Sequence, residues 1–417
     1  MKNKIFIIFL LLITGILSIR IFNNYKKNDI LDDVHNESLI KKALLTMNLE
    51  QTAGEGDFKT VTQSEWPKEG YIFNAELSKC ENGSILSWDN VKKTIIMTGN
   101  VSDKCYVYFD KARFDQFCDE KLLSCHVAQL YNGIQGENNI YYHDKSLDKG
   151  ASDYSYRYAG SNLLTNNYVC FGYDSKDGSC PLDNLYRIIG VFDGQVKLVK
   201  SSDITQEYLG SDGSYVSFNE GHGSFYRGDQ ESSHWYNWNI DNSNIWEDSS
   251  LNTQNLNVNY INKLGSWADK ISVTSWIIGG NFRDKLEKTS IDLVYKNEIL
   301  LPANDLKYSA KIGLIYLSDY GYAALPKYWS YVGCKNDELA HDYSEAIEDN
   351  WLYLGEGTWF ITKISDSNNL SFVMYYFGAF GAGTVLDKNV VRPSFYLKSN
   401  IKYISGNGTK KTPYIIE

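Results

Sequence analysis

Seven cysteines carry most of the reactive chemistry in this 417-residue sequence. Six fall into close pairs, Cys80/Cys105, Cys118/Cys125 and Cys170/Cys180, while Cys334 stands apart with His341 and Asp342 nearby. Close pairs behind a membrane-targeting segment read as disulfides made in an oxidising compartment. Each such bridge stabilises by about 2–4 kcal/mol, chiefly by restricting the unfolded chain. Cys118 and Cys125 carry a condition. Seven residues apart on an unbroken helix, their α-carbons would be about 10 Å apart, beyond disulfide reach. That bridge therefore requires the helix to break between Asp119 and Ser124. A thiol with a histidine close by is the minimum for a thiolate nucleophile, which makes Cys334 the candidate for covalent chemistry. No nucleophile signature surrounds it, so the plain reading is a buried or loop thiol.

Other constellations are weaker. The six histidines (35, 126, 143, 222, 234 and 341) show no HExxH or CxxC spacing, so neither a metal nor any other cofactor is expected. Asn239, Asp241, Ser243 and Asp248 form an oxygen-rich loop. It lacks the sixth-position glycine and twelfth-position glutamate of a helix-loop-helix calcium site, and reads as a solvated polar loop. Glu345, Glu348 and Asp349 before Trp351 could supply a carboxylate pair, but read as an exposed charge run. The stretch GAFGAG (378–383) precedes no helical pattern and reads as a β-turn, not a phosphate cradle. Aromatic residues are abundant, with 32 Tyr and 10 Trp. Tyr375 and Tyr376 would point to opposite faces of a strand. The exposed one, with Trp359 or with Trp235, Tyr236 and Trp238, makes a candidate stacking platform for a glycan or a partner protein. The competing reading is that these rings are core.

The bulk properties narrow the field. Net charge is −10 and the pI is about 5.2. A sequence-independent grip on nucleic acid needs a basic surface, so nucleic acid is excluded as a partner. An apolar content of 43% excludes wholesale disorder. The run Ile5–Phe22 follows Lys2 and Lys4 and is almost wholly apolar. As a helix it spans about 27 Å, close to a bilayer core of about 30 Å. No small-x-small cleavage site follows, which favours a retained anchor over a cleaved signal peptide. The expected location is the cell membrane, crossed once through this helix, with the bulk of the chain outside.

These features organise as residues 1–22, anchor or signal; 23–65, a linker with a short helix capped by Asn36 and carrying Leu39, Ile40, Ala43 and Leu44; 66–110, a small disulfide-stapled β unit; 111–153, a helical connector; and 154–417, the large domain. In the β unit, strands are expected at 71–73, 84–88, 94–97 and 105–109. In the large domain, Asp193–Gly194 predicts a hairpin between 185–192 and 195–201. Helical periodicity covers 256–264, with a second short helix at 267–271. Further strands are expected at 311–318, 351–355, 358–365, 370–377 and 391–397, and at the C-terminus. The fold class is α+β, with short antiparallel sheets and long loops. The strand at 391–397 should lie beside the hairpin, with Phe395 and Leu397 facing a core and Arg392 at the sheet end.

The ordered motifs LYRIIGVFDGQVKLVKSS, NIWEDSSLNTQNLNVNYINKL, KIGLIYLSDYGYA, NWLYLGEGTWFIT and VVRPSFYL, over 154–417, resemble a family of Gram-positive bacterial surface proteins described only as domains of unknown function. That family is similar to the C-type-lectin-like fold, in the branch that includes sulfatase-modifying factors. The resemblance implies no known reaction. The thiol pair of that branch's oxidising enzymes is absent, because Cys334 stands alone late in the domain. The EPN/QPD and WND motifs of calcium-dependent lectins are also absent. The expected function is a surface-anchored binding or adhesion protein with a glycan or envelope partner. The alternative is an envelope hydrolase or thiol oxidant using Cys334 or a carboxylate pair. The anchor reading makes a direct prediction. The mature protein keeps Met1–Phe22 and fractionates with membranes, and mass spectrometry finding a new N-terminus near Ile19–Phe22 would refute it.

Overall fold

The computed structural model of the chain describes residues 44–62, 67, 69–100, 102–175, 179–216, 235–282, 290–302, 306–330, 340–341 and 346–417. The apolar segment 5–22, the expected helix cap at Asn36, and Cys334 with Asp342 lie outside these residues. Among the described residues no helix is long and apolar enough to cross a membrane. The fold is mixed α/β with short antiparallel sheets and three disulfides. It forms two compact units that meet in sequence at Cys118 and Asp119.

The first unit is built from β1 (Leu44–Glu50), β2 (Phe58–Val61), β3 (Tyr71–Phe73), β4 (Lys79–Cys80), β5 (Ile85–Asp89), β6 (Thr94–Thr98) and β7 (Lys104–Lys111). The order β2-β1-β7-β3 makes one sheet, with β4 also pairing β7. Strand β1 replaces the end of the expected helix, because Leu44 opens a strand and not a helical turn. The cause is period-two patterning: Leu45, Met47 and Leu49 share one face and are buried with Val107, Phe109, Ile95 and Met97. Cys80 and Cys105 stand directly opposite each other across β4 and β7 and are bonded. Behind them Asp103 is fully buried. It accepts the backbone amides of Asn82 at 2.9 Å, Ser84 at 3.2 Å and Lys104 at 2.8 Å.

The cysteine condition is met by the backbone. Helix α1 (Phe114–Phe117) stops at Cys118, which is extended (φ −69°, ψ 161°), and α2 (Leu123–Ala128) starts afresh. Cys118 and Cys125 are both disulfide-bonded, as are Cys170 and Cys180.

In the second unit, β8 (Ile140–Tyr142), β9 (Tyr156–Tyr158), β10 (Tyr168–Cys170), β11 (Leu185–Phe192), β12 (Gln195–Lys200) and β21 (Ser394–Tyr396) form the main sheet. Its order is β21-β12-β11-β9-β8, with β10 also on β11. The hairpin turn falls at Asp193 and Gly194, both with positive φ (47° and 74°), as a two-residue hairpin loop of this type demands. Strand β21 pairs with β12 as expected, Phe395 and Leu397 are buried, and Arg392 donates to the carbonyls of Lys200 and Leu352 at 2.9 and 2.7 Å.

A second sheet runs β17 (Ala340–His341), β20 (Phe380–Thr384), β19 (Leu370–Met374), β18 (Thr358–Lys363). Two-stranded pairs are β13 (Tyr215–Val216) with β14 (Trp235–Tyr236), β15 (Thr274–Ile277) with β16 (Lys307–Ala310), and β22 (Tyr403–Ser405) with β23 (Ile415–Ile416). Helical turns follow α3 (Gln206–Leu209): a widely wound stretch Leu251–Tyr260, then α4 (Ile261–Leu264) and a tight turn Gly265–Lys270. Further on come α5 (Ile291–Tyr295) and α6 (Leu317–Tyr322).

Two expected strands and one expected turn differ. Residues 311–316 are extended and largely buried, but Leu317 begins α6, because Asp319 caps that helix by accepting the Tyr316 amide at 2.8 Å. Residues 351–355 form turns, with Trp351 buried and donating to the Tyr158 carbonyl. The glycine-rich stretch is mostly strand β20 and not a turn. A Cβ added at its Gly383 would lie 3.2 Å from both Asp387 Oδ2 and Val373 Cγ1, with the Trp359 indole just beyond.

Gly190 is the tightest point of the main sheet. A Cβ there would lie 2.2 Å from the Tyr156 carbonyl oxygen, beside the bulge at Ile188/Gly190. That oxygen belongs to a paired strand and has no room to retreat. Gly190→Ala is predicted to lower the unfolding free energy of the second unit by about 1–3 kcal/mol, the usual cost of overpacking. A urea titration showing an unchanged midpoint would contradict this.

Candidate functional site

The glycine sits in a row of four. Arg157 on β9, Gly190 on β11, Lys197 on β12 and Tyr396 on β21 stand directly opposite one another across neighbouring strands. Residues in register share a face. Two cations are therefore set on one face of the sheet with only a glycine between them. Both are almost completely buried, Arg157 at 2% and Lys197 at 1% exposure.

Each cation receives a carboxylate and a ring of aromatics. Arg157 forms an ion pair with Asp153 through Nη2 and donates from Nε to the Ser155 hydroxyl at 2.8 Å. The rings of Phe192, Tyr295 and Tyr322 lie 4.7, 4.9 and 4.9 Å from its guanidinium carbon. The Tyr295 hydroxyl also donates to Asp153, at 2.7 Å. Lys197 donates to Asp319 Oδ2 at 2.6 Å. Its ammonium lies 4.5 Å from the ring centre of Tyr316, 5.3 Å from Tyr396, 5.6 Å from Trp276 and 5.8 Å from Phe192.

The electrostatics follow from burial. Desolvation pushes the Lys197 ammonium down, and the pull of Asp319 does not fully restore it. For Arg157 burial also opposes the charge, but Asp153 and the tyrosines outweigh it and the net push is upward. Asp153 is held down at about 2: burial raises it, while Arg157 and the Ser155 and Tyr295 hydroxyls prevail. Beside them Glu298 is fully buried. Desolvation pushes it up although it accepts the amides of Leu317 and Ser318, each at 3.0 Å, and bonds the Thr362 hydroxyl.

Above this floor opens a pocket of about 110 Å³. Its partly exposed rim is Phe192, Thr274, Ser275, Ile277 and Ile299, and its floor is Arg157, Lys197, Tyr295, Tyr316, Ser318 and Asp319. The site offers hydroxyls and aromatic edges at the mouth over charges that neutralise one another beneath.

None of the candidates named from sequence lies in this pocket. The proposed stacking residues Trp235, Tyr236, Trp238, Trp359 and Tyr375 are all buried, at 5% exposure or less. Their polar handles explain why. Trp359 Nε1 donates to the Tyr236 carbonyl at 2.8 Å, and Trp238 Nε1 to the Phe360 carbonyl at 3.0 Å. The hydroxyls of Tyr236 and Tyr375 donate to the carbonyls of Gly210 and Ala382. A buried indole or phenol needs such a partner, and these rings fasten β14 to the second sheet instead of facing solvent. Tyr376 is the exposed neighbour, with Phe377.

Of the expected nucleophile group only the His341 backbone is described, on β17. Asp349 forms an ion pair with Lys327 at 2.6 Å, and Glu345 lies outside the described residues. The oxygen-rich loop closes on itself: the Asn239 amide donates to the Ser243 carbonyl and its oxygen accepts the Asp241 amide. One cluster of metal-type donors occurs among the described residues, Cys80, Asp103 and Cys105. Its sulfurs are bonded to each other and its carboxylate is taken up by backbone amides.

Arg157 and Lys197 escaped notice because a single charged residue in an apolar strand, as in QVKLVK, ordinarily marks a solvent-facing position. The usable signal is Tyr316–Asp319, the spacing of a helix cap across the end of the run 311–318 that reads as strand.

Removing one partner from a buried ion pair leaves an uncompensated charge. Asp153→Ala is predicted to lower stability at neutral pH by about 3–5 kcal/mol. Because the carboxyl is depressed to about 2 in the folded state, its contribution is complete above the unfolded value of about 4 and is lost as pH falls toward 2. Denaturant titrations of both proteins should converge over that window, and a difference independent of pH would contradict the ion-pair account.

No family model, no curated protein and no solved structure matches this chain, so the chemistry of the pocket rests on its own residues.

Proposed function

We propose that the chain is a membrane-anchored binding protein of the cell surface whose second unit receives a polar end group of an envelope glycan in the Arg157/Lys197 pocket. The observation that carries this reading is the pocket's construction. A mouth of Thr274, Ser275 and the Phe192 edge suits hydroxyl groups and the apolar face of a sugar. The charges beneath are paired with each other and are not left to attack a substrate. At about 110 Å³ the pocket fits an end group and not a whole oligosaccharide. The apolar run 5–22 and the three disulfides support delivery outside the cytosol, since paired thiols persist in oxidising compartments. The lectin-like assignment of residues 154–417 rests on the motifs named above. The pairing of β21 with the β11–β12 hairpin is in keeping with it.

The test uses the full chain in detergent against purified envelope glycans. Ser275 is exposed, so Ser275→Trp fills the mouth without entering the core. Glycan retention by the wild type and a loss of at least about tenfold, or 1.4 kcal/mol, in the variant are expected. No retention by the wild type, or equal retention by both, would overturn the reading.

A further inference from the structure

Between β8 and β9 the chain is held in a shape that its own backbone resists. Lys149, Ser152 and Tyr154 all take positive φ (56°, 53° and 59°), a region that opposes any residue with a Cβ. One residue supplies three of the bonds that keep the loop 144–155 in this shape. The His143 amide donates to the Ser155 carbonyl at 2.8 Å, and the His143 carbonyl accepts the Tyr154 amide at 3.0 Å. Its ring nitrogen Nδ1 accepts the Ala151 amide, also at 3.0 Å. The Tyr322 hydroxyl adds a fourth, donating to the Lys149 carbonyl at 3.2 Å. The loop carries Asp153, the acid of Arg157.

The ring bond requires a neutral imidazole. An Nδ1 that accepts carries no proton, so the proton sits on Nε2. Nε2 is buried and meets no hydrogen-bond partner among the described residues. His143 is 0% exposed, with the ring centres of Tyr322 and Trp329 at 4.8 and 5.2 Å. The same Tyr322 ring lies 4.9 Å from the guanidinium carbon of Arg157. A charge on the imidazole would therefore be desolvated and close to a like charge. Burial first, and Arg157 second, hold the ring well below the ordinary histidine range, against the opposite pull of Asp153.

We infer that His143 is an acid-sensitive latch: a proton taken up at Nδ1 turns the acceptor of the Ala151 amide into a donor, the loop 144–155 opens, and Asp153 leaves Arg157. Opening gives the ring to water, where it binds a proton at its ordinary value of about 6.5. The closed ring does not. The closed loop therefore has its full stability above that value, and the open form gains about tenfold for each pH unit below it. The other groups that face the ring keep their charge in this range. Asp153 is held at about 2 and returns only to about 4 when released. Arg157, Tyr295 and Tyr322 are all pushed upward. The remaining charges, Asp144, Lys145, Asp148 and Lys149, lie on the loop itself. The latch does not depend on what the pocket binds.

Hydrogen exchange of the full-length protein, read by mass spectrometry from about pH 7.5 to pH 4 and corrected for the intrinsic effect of pH on amide exchange, tests this. Protection of peptides within 144–155 should fall about 100-fold between pH 6.5 and 4.5, while peptides from β11 and β12 keep theirs. In His143→Asn a side-chain oxygen takes the place of Nδ1 and cannot titrate, so loop protection should stay level over the same range. Level protection of the wild-type loop would overturn the latch. Loop and sheet losing protection together would also overturn it, because the opening would then be global. An Asn variant with the wild-type slope would remove His143 from the mechanism. If that variant leaves the loop open at neutral pH, the wild-type onset decides: a decline that begins only below about pH 4.5 belongs to carboxylates and refutes the inference.

Discussion

Two positive charges buried on the same face of one sheet set the terms for the second unit. A cation in such a place without a partner costs several kcal/mol, and each of these two is met by an acid. Arg157 takes its acid from four residues earlier in the chain. Lys197 cannot, because its neighbours on β12 are apolar. Its acid comes from α6, a helix whose first turn is itself steadied by Glu298 and Thr362. The position of that helix, the cap at Tyr316 and the turn of chain through residues 311–316 all follow from bringing one carboxylate to one ammonium. Gly190 completes the arrangement, since any side chain between the two cations would push their strands apart.

The regular parts of this architecture were legible in the sequence. The Asp193–Gly194 turn marks the central hairpin, apolar runs between turn signals mark β3, β5, β6, β7 and β18, and the pairing of 394–396 with the hairpin follows from Pro393 and the alternation after it. What misled was apolar character without periodicity. KIGLIYLS reads as a strand because Ile312, Leu314 and Ile315 are all apolar, yet burial on every side is equally met by an extended connection running into a helix. At β1 the reverse holds: Leu44 completes a helical spacing with Leu39, Ile40 and Ala43, yet it opens a strand whose buried residues are Leu45, Met47 and Leu49. The pocket was illegible for a different reason. Its residues come from β9, β11, β12, β15, α5, α6 and β21, and only closure of the sheet brings them together.

The aromatic wealth of the sequence has a structural explanation. The chain contains many short strands joined by long irregular segments, and such segments leave carbonyls without ladder partners. Indole and phenol groups are long enough to reach them. Trp238, Trp329, Trp351 and Trp359 each donate to a backbone carbonyl, and Tyr236, Tyr320 and Tyr375 do the same through their hydroxyls. Buried asparagines complete the pattern, with the amide nitrogen of Asn244 shared among the carbonyls of Ile364, Ser367 and Leu370 at 2.8–3.0 Å. Rings and amides thus tie loop carbonyls such as those of Gly210 and Gly378, and strand carbonyls such as those of Tyr158 and Phe360, to distant parts of the chain.

The pairing of β12 with β21 has a consequence for the order of events in the cell. The hydroxyl of Ser394 reaches the carbonyl of Leu198 across 196 residues, and the last strand of the main sheet lies close to the end of the chain. A ribosome that has finished the hairpin must still make nearly half of the protein before the sheet has its outer edge. Through that interval β12 offers an open edge to whatever passes, the condition in which strands pair wrongly. The first unit has no such wait, because all its strands are complete by Lys111. Nascent chains should therefore carry a finished head and an unfinished body for much of their synthesis, and their need for chaperones should be concentrated in the body.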